Sequence, residues 1–144
     1  MLRVENVVRS AGVGIGPEAT ETMATVLVIE DDQEVREFLV AVLTRAGHTV
    51  TAANNGRDGV TMFRDEPAQV VITDIIMPEK DGIETILDLR REHPQLKVIA
   101  ISGGGRSTPE NYLHSARLLG ADRAIRKPFK NEEILAAVKE LAGE

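Results

Sequence analysis

The chain has 144 residues, of which 42% are hydrophobic and 28% charged, and its formal net charge is −6. This length suits one domain with a sizeable core, and the composition is typical of a soluble globular protein. The acidic balance argues against a nucleic-acid interface, which needs clustered lysine and arginine. The lack of cysteine excludes disulfides and thiolate metal sites, and no apolar run reaches the roughly 18 residues of a membrane span. We therefore predict a cytoplasmic protein that binds no nucleic acid and does not insert into a membrane.

The beginning of the chain shows no pattern typical of a folded element. Residues 11–22, "AGVGIGPEATET", are rich in small residues and carry no sustained hydrophobic period. We predict that residues 1–22 form a flexible tail and that residues 23–144 form the domain. Met23 directly precedes the first strand pattern, so we hypothesise that translation could also begin there.

From residue 25 onward, short β-branched runs alternate with amphipathic helical patterns. Such alternation predicts an α/β fold with a parallel sheet covered by helices on both faces. The helical stripes predict an inward-facing Phe38 on the first helix and an inward-facing Leu87 on the third. Strands are predicted at 25–30, 49–53, 69–73, 97–102 and 123–126, and helices at 33–47, 57–65, 83–93, 109–120 and 131–142.

Polar residues follow four of these strands. Glu30 and Asp31 end the first, Asp74 the third, Ser102 the fourth, and Lys127 the fifth. In open parallel sheets, ligands bind outside the carboxyl ends of the strands. Carboxylates gathered there repel one another, by about 4 kcal/mol for two charges 4 Å apart at an effective dielectric of 20. Oxygen ligands without histidine or cysteine suit Mg²⁺, which would relieve this repulsion.

Asp74 stands alone at the end of an apolar strand, without a neighbouring base. A carboxylate needs no base to act as a nucleophile, because it is already ionised. Lys127 can place a positive charge on an incoming phosphoryl group, and Ser102 can donate a hydrogen bond to one of its oxygens. The residues therefore favour attack of Asp74 on phosphorus.

The motifs "VLVIEDD", "VVITDIIMPEKDG", "ISGGG" and "RKPF" follow one another on five βα units. In this order they closely resemble the receiver domain of bacterial two-component response regulators. The resemblance covers residues 25–143. It implies a flavodoxin-like, doubly wound (βα)5 fold with five parallel strands in the order 2-1-3-4-5, and a cis bond between Lys127 and Pro128.

The resemblance also implies roles for individual residues. Asp74 would be the phospho-acceptor, with Mg²⁺ held by Asp74, Asp31, Glu30 and the backbone carbonyl of Ile76. Ser102 would be the switch hydroxyl, and Lys127 would contact the phosphoryl group.

The partners implied by the resemblance are a histidine kinase or a histidine phosphotransfer protein, and a downstream protein target. Phosphorylation-dependent dimerisation is a further implied property. Because the chain ends directly after the last predicted helix, we expect a stand-alone receiver whose output is a protein contact, or one that acts as a relay or phosphate sink.

Several positions depart from the family pattern. Ala124 replaces the aromatic residue usual three positions before the lysine, and Tyr112 is an alternative for its role. The segment between Ser102 and Lys127 is also longer than usual. Ile76 is apolar where many receivers have a polar residue, so we hypothesise slow spontaneous dephosphorylation, which Ile76→Asn would accelerate.

Alternative interpretations remain at this stage. Asp32 is predicted to be a plain helix cap. The three histidines, His48, His93 and His114, are predicted to lie at the surface. A Mg²⁺-dependent phosphohydrolase using Asp74 on a small substrate is one rival function, although it lacks a second acid at position 76. A receiver fold that never carries phosphate is the other rival.

Overall fold

A computed structural model describes residues 23–75, 82–102 and 120–143, without the side chains of residues 83 and 102. The predictions for the tail at 1–22, for the helix at 109–120, and for Ile76, Tyr112 and His114 lie outside these residues. In the described part of the chain, no helix is long and apolar enough to cross a membrane.

The described elements follow the predicted order, and their ends differ from the predicted ones by at most two residues. They are β1 (Thr25–Ile29), α1 (Gln33–Arg45), β2 (Thr49–Ala53), α2 (Gly56–Asp65), β3 (Val70–Asp74), α3 (Gly82–Glu92), β4 (Lys97–Ser102), β5 (Arg123–Arg126) and α4 (Asn131–Ala142).

The strands form one parallel sheet in the order β2-β1-β3-β4-β5, which confirms the predicted topology. Ile29 of β1 is in register with Thr73 of β3. The residues that follow them, Glu30 and Asp74, therefore end up side by side at the carboxyl edge. Asp74 is in register with Ile101 of β4, so three strand ends converge at this point.

Alternating side chains of the strands supply two apolar layers, because successive residues of a strand point to opposite faces. The first layer packs under α1 and α4, and the second packs under α2 and α3. The first includes Val26, Val28, Leu39, Leu43, Val70, Ile72, Ile99, Ile101, Ile134 and Val138. The second includes Leu27, Ile29, Val60, Phe63, Val71, Ile86, Leu89 and Val98.

Helix α1 begins and ends with the expected signals. The Asp32 side chain accepts hydrogen bonds from the backbone N–H groups of Glu34 and Val35, which confirms that this residue caps the helix. Gly47 follows the helix at a φ of 102°, a left-handed conformation that favours glycine. The Lys127–Pro128 bond is cis, as expected.

Two predicted inward positions are wrong. Phe38 is 39% exposed and Leu87 is 45% exposed. Helix α1 covers the sheet with Leu39 and Leu43, so Phe38 lies at its rim and packs against Phe129, with ring centroids 6.0 Å apart. Helix α3 faces the sheet through Ile86 and Leu89 instead of Leu87.

The prediction that every histidine lies at the surface is also wrong for His48. This residue is only 5% exposed, and its Nδ1 accepts a hydrogen bond of 3.0 Å from the Ala24 backbone N–H. The imidazole thereby satisfies a buried backbone donor just before β1, which explains its burial. His93 is half-buried. Its ring packs against the Phe63 ring in a T-shaped arrangement, with the two ring centroids 4.7 Å apart.

Candidate functional site

Three carboxylates meet at the carboxyl edge of the sheet. Glu30, Asp31 and Asp74 each bring an oxygen within 4.8 Å of the others. Glu30 and Asp74 are buried, with 1% and 6% exposure, whereas Asp31 is exposed. The structure therefore brings together the acids that the sequence placed at two separate strand ends.

Lys127 reaches this cluster from the end of β5. Its Nζ lies 2.8 Å from Asp74 Oδ2 and donates a hydrogen bond to it, and it lies 3.2 Å from Glu30 Oε1. The ammonium group of Lys127 thus contacts two of the three carboxylates.

The charges at this edge shift two pKa values. Burial, followed by the charge of Asp74, raises the pKa of Glu30 to about 7. Burial lowers the pKa of the Lys127 ammonium, but the hydrogen bond and charge of Asp74, with the charge of Glu30, outweigh burial and raise it above its usual value. The lysine is therefore charged at neutral pH, whereas Glu30 is held near its titration point.

The backbone around Asp74 is fixed on several sides. The Ile75 N–H donates to Ile101 O at 3.0 Å, and the Thr73 hydroxyl donates to Asp74 O at 3.0 Å. Gly82 begins α3 directly against this strand end. A Cβ added at Gly82 would lie only 2.0 Å from Asp74 O, so the close approach requires glycine here.

The backbone around Glu30 is fixed from the first turn of α1. The Asp32 N–H donates to Glu30 Oε2 at 3.1 Å, and the Arg36 guanidinium donates to Glu30 O at 2.9 Å. Sequence reasoning missed Arg36, because a hydrogen bond from the first turn of a helix back to a strand end has no local pattern.

The arrangement fits a hard divalent cation. All three side chains offer oxygen, the donor that Mg²⁺ prefers. Oε1 of Glu30 is buried and makes no hydrogen bond, since its 3.2 Å contact with Lys127 is an ion pair without hydrogen-bond geometry. A buried carboxylate oxygen without a hydrogen bond is costly, and a metal ion or a proton would satisfy it more fully than this ion pair alone. Glu30, Asp31 and Asp74 are therefore the residues that could hold Mg²⁺.

The remaining predicted site residues are placed only in part. Ser102 ends β4 in register with Arg126, directly before Lys127, but its side chain is not described. Ile76 lies outside the described residues. Ala124 is half-buried and packs against Ile75 and Ala100.

A family model for the response regulator receiver domain matches residues 26–139 of this chain. This chain belongs to that family. Receiver domains act in two-component signalling, where they accept phosphoryl groups, and the family implies interaction with histidine kinases or phosphotransfer proteins. They are generally Mg²⁺-dependent, in keeping with the acidic cluster of this receiver.

Curated relatives agree with this assignment. The response regulator receiver protein CpdR of Brucella abortus (strain 2308) is 41% identical over 81 residues, covering 56% of this receiver and 68% of that protein. The transcriptional regulatory protein GltR of Pseudomonas aeruginosa is 34% identical over 117 residues, covering 81% of this receiver and 48% of that protein. This receiver thus spans about half the length of relatives such as GltR.

Solved structures share the fold. The chemotaxis protein CheY4 of Vibrio cholerae superposes with a TM-score of 0.74 at 25% identity, covering 83% of this receiver and 98% of that chain. The receiver domain of the Francisella response regulator 1452 superposes with a TM-score of 0.73 at 27% identity, covering 83% and 96% of the two chains.

Proposed function

We propose that this receiver accepts a phosphoryl group on Asp74 from the phosphohistidine of a histidine kinase or histidine phosphotransfer protein. The observation that supports this most is the buried Asp74 carboxylate, 2.8 Å from the Lys127 ammonium and within 4.8 Å of two further acids. A nucleophile, a fixed cation and a set of oxygen ligands are the parts that phosphoryl transfer requires.

In the proposed reaction, an Asp74 oxygen forms a bond to phosphorus while the bond from phosphorus to the donor nitrogen breaks, and the imidazole keeps the bonding electrons. Lys127 holds its positive charge beside the acceptor carboxylate and compensates the charge of the phosphoryl oxygens. Mg²⁺, when held by Glu30, Asp31 and Asp74, would supply further positive charge at this point. The Ile76 backbone carbonyl would be a fourth ligand by resemblance.

The receiver would catalyse only its own phosphorylation and dephosphorylation. The aspartyl phosphate would then act as a signal. Ser102 follows Ile101, the register partner of Asp74, so its hydroxyl is the proposed group that turns toward the phosphoryl oxygens. That movement would shift the populations of two surface conformations and change binding to a downstream protein.

An exposed apolar surface beside the site suits a protein donor. Val35, Phe38, Pro128 and Phe129 line a cleft of about 400 Å³ that also includes Lys127. A partner seated there would lie next to the group that contacts Asp74. Phe38→Ser should therefore slow transfer from a phosphorylated histidine kinase that serves the wild type, while acetyl phosphate should phosphorylate both proteins equally. Equal rates with the kinase would rule out this surface.

The experiment that tests the function itself is intact-mass spectrometry after incubation with acetyl phosphate and Mg²⁺. We expect one phosphoryl adduct, absent from Asp74→Asn and absent when Mg²⁺ is chelated. An adduct that persists in Asp74→Asn would place the acceptor elsewhere. No adduct with either acetyl phosphate or a phosphorylated kinase would favour a binding domain that does not carry phosphate.

A further inference from the structure

Glu30 is held by four contacts, and three of them come from other elements. Its N–H donates to Ala53 O at 3.0 Å at the end of β2, and Lys127 lies against its carboxylate. Asp32 N–H donates to its Oε2, and Arg36 donates to its backbone carbonyl at 2.9 Å. Both the side chain and the backbone of this acid are therefore fixed.

Asp31 is fixed in a different way. Its side chain is exposed and makes no hydrogen bond or ion pair to another described residue. The direction of its carboxylate therefore depends on its backbone, which shares a peptide plane with the Glu30 carbonyl. Because Arg36 holds that carbonyl, it determines how this peptide plane is turned.

Arg36 is itself anchored. Its backbone N–H donates to Asp32 O at 2.9 Å in the first hydrogen bond of α1, and the Asp32 side chain caps the same helix. The guanidinium is half-buried and presents a planar fork, which loses less freedom on binding than a lysine side chain would. The start of α1 and the peptide between the two acids thus form one rigid unit.

We propose that Arg36 is a positioning residue for the cation site: its hydrogen bond to Glu30 O orients the Glu30–Asp31 peptide so that both carboxylates converge with Asp74. This inference rests on the proposed function, since it concerns the metal that supports phosphorylation. Arg36 acts through the backbone of Glu30, to whose carbonyl its guanidinium donates.

The test is the dissociation constant of Mg²⁺, measured by calorimetry on the full chain for the wild type, Arg36→Met and Arg36→Lys. Residues that orient metal ligands typically change metal affinity by 10- to 100-fold, so we expect Arg36→Met to raise the dissociation constant about 10-fold. Arg36→Lys keeps a donor and the charge, and we expect a smaller loss.

Arg45→Met is the matched control, because Arg45 is an exposed arginine in the last turn of the same helix. It removes the same charge and should leave the dissociation constant unchanged. Equal losses in Arg36→Met and Arg45→Met would show a general charge effect and overturn the proposal. A wild-type dissociation constant in folded Arg36→Met would also overturn it.

Phosphorylation by acetyl phosphate separates positioning from a general structural defect. At saturating Mg²⁺, Arg36→Met should reach the wild-type level of adduct, with only the Mg²⁺ concentration for half-maximal labelling increased. A reduced level at saturating Mg²⁺ would contradict a role in cation binding alone. If Arg36→Met does not fold, Arg36→Lys provides the test instead. An unchanged Mg²⁺ dissociation constant in Arg36→Lys would then overturn the proposal that the Arg36 guanidinium positions the cation site. A wild type that forms no adduct with either acetyl phosphate or a phosphorylated kinase would instead contradict the proposed function.

Discussion

The two edges of the same sheet treat polar groups in opposite ways. At the amino edge, the Thr25 N–H donates to the Gln69 side chain and the Gln69 N–H donates back to the Thr25 hydroxyl. The Val98 N–H is satisfied by Asp122 Oδ2 at 2.8 Å, and the Ala24 N–H by His48. At the carboxyl edge, three carboxylates lie together, the Lys127 ammonium contacts two of them, and a buried oxygen of Glu30 has no hydrogen bond.

This difference separates residues that stabilise the fold from residues that serve the site. Polar side chains at the amino edge complete the hydrogen bonds of strands and bends, as buried polar groups generally must. Those at the carboxyl edge leave charge unbalanced, and the protein tolerates this because a cation or a proton can compensate it. Substitutions at the two edges should therefore differ in whether they change stability or phosphorylation.

Lys127→Met should give the largest effect in this comparison. It removes the ammonium that contacts Asp74 at 2.8 Å, so charge on the phosphoryl oxygens would lose a fixed compensating group. Removal of one such group typically slows reactions by about 10²- to 10³-fold. A time course of the acetyl phosphate adduct by intact mass measures this rate. Lys139→Met, on the exposed side of α4, is the control and should react at the wild-type rate. A rate within threefold, or about 0.7 kcal/mol, of the wild type would contradict the role of Lys127.

At the amino edge, His48→Ala should lower the free energy of unfolding by about 2 kcal/mol, because the buried Ala24 N–H loses its acceptor. Urea denaturation followed by circular dichroism measures this change. The Mg²⁺ dissociation constant should stay at the wild-type value, since His48 lies at the opposite edge from the acids. Unchanged stability of His48→Ala, or weaker Mg²⁺ binding by the folded variant, would contradict the distinction between the two edges.

At the carboxyl edge, Glu30→Gln should leave the metal-free protein as stable as the wild type at pH 4 and more stable, by about 1 to 3 kcal/mol, at pH 8. The pKa of Glu30 is raised from 4.5 to about 7 in the folded state. The folded chain thus binds more protons than the unfolded chain between these values, and the contribution of Glu30 to stability falls as the pH rises through them.

The measurement is urea denaturation of both proteins in chelator across this pH range. The difference between the wild type and Glu30→Gln isolates the contribution of Glu30 from the other acids. Mg²⁺ affinity of the wild type should show the opposite trend and rise with pH up to about 7, because the metal binds the ionised acid. A difference in stability that is independent of pH would contradict the raised pKa.

The sequence was sufficient to predict the sheet and to group most of the candidate site residues, for a physical reason. Parallel strands covered on both faces are short apolar runs, and the residues that follow them are forced to one edge. Glu30, Asp31, Asp74 and Lys127 could therefore be grouped without knowing any contact. The role of Asp32 as a helix cap could also be predicted, because it depends only on neighbouring residues.

What the sequence could not predict depends on contacts between distant segments. Phe38 and Leu87 fit helical stripes, but the angle at which each helix meets the sheet determines that both are exposed. The burial of His48 depends on a hydrogen bond to a residue 24 positions away. Arg36 likewise resembles any charged residue on a surface helix until its contact with the Glu30 carbonyl is seen.

The most direct test of this account is a Mg²⁺ titration followed by backbone amide NMR. We expect the signals of Glu30, Asp31, Asp74 and Lys127 to shift and saturate together at one ion per chain, with those of Ala24, Gln69 and Val98 unchanged. This result would locate the cation at the carboxyl edge. Equal shifts at both edges, or no saturable shift at the acids, would contradict the claim that the unbalanced charge there forms a cation site.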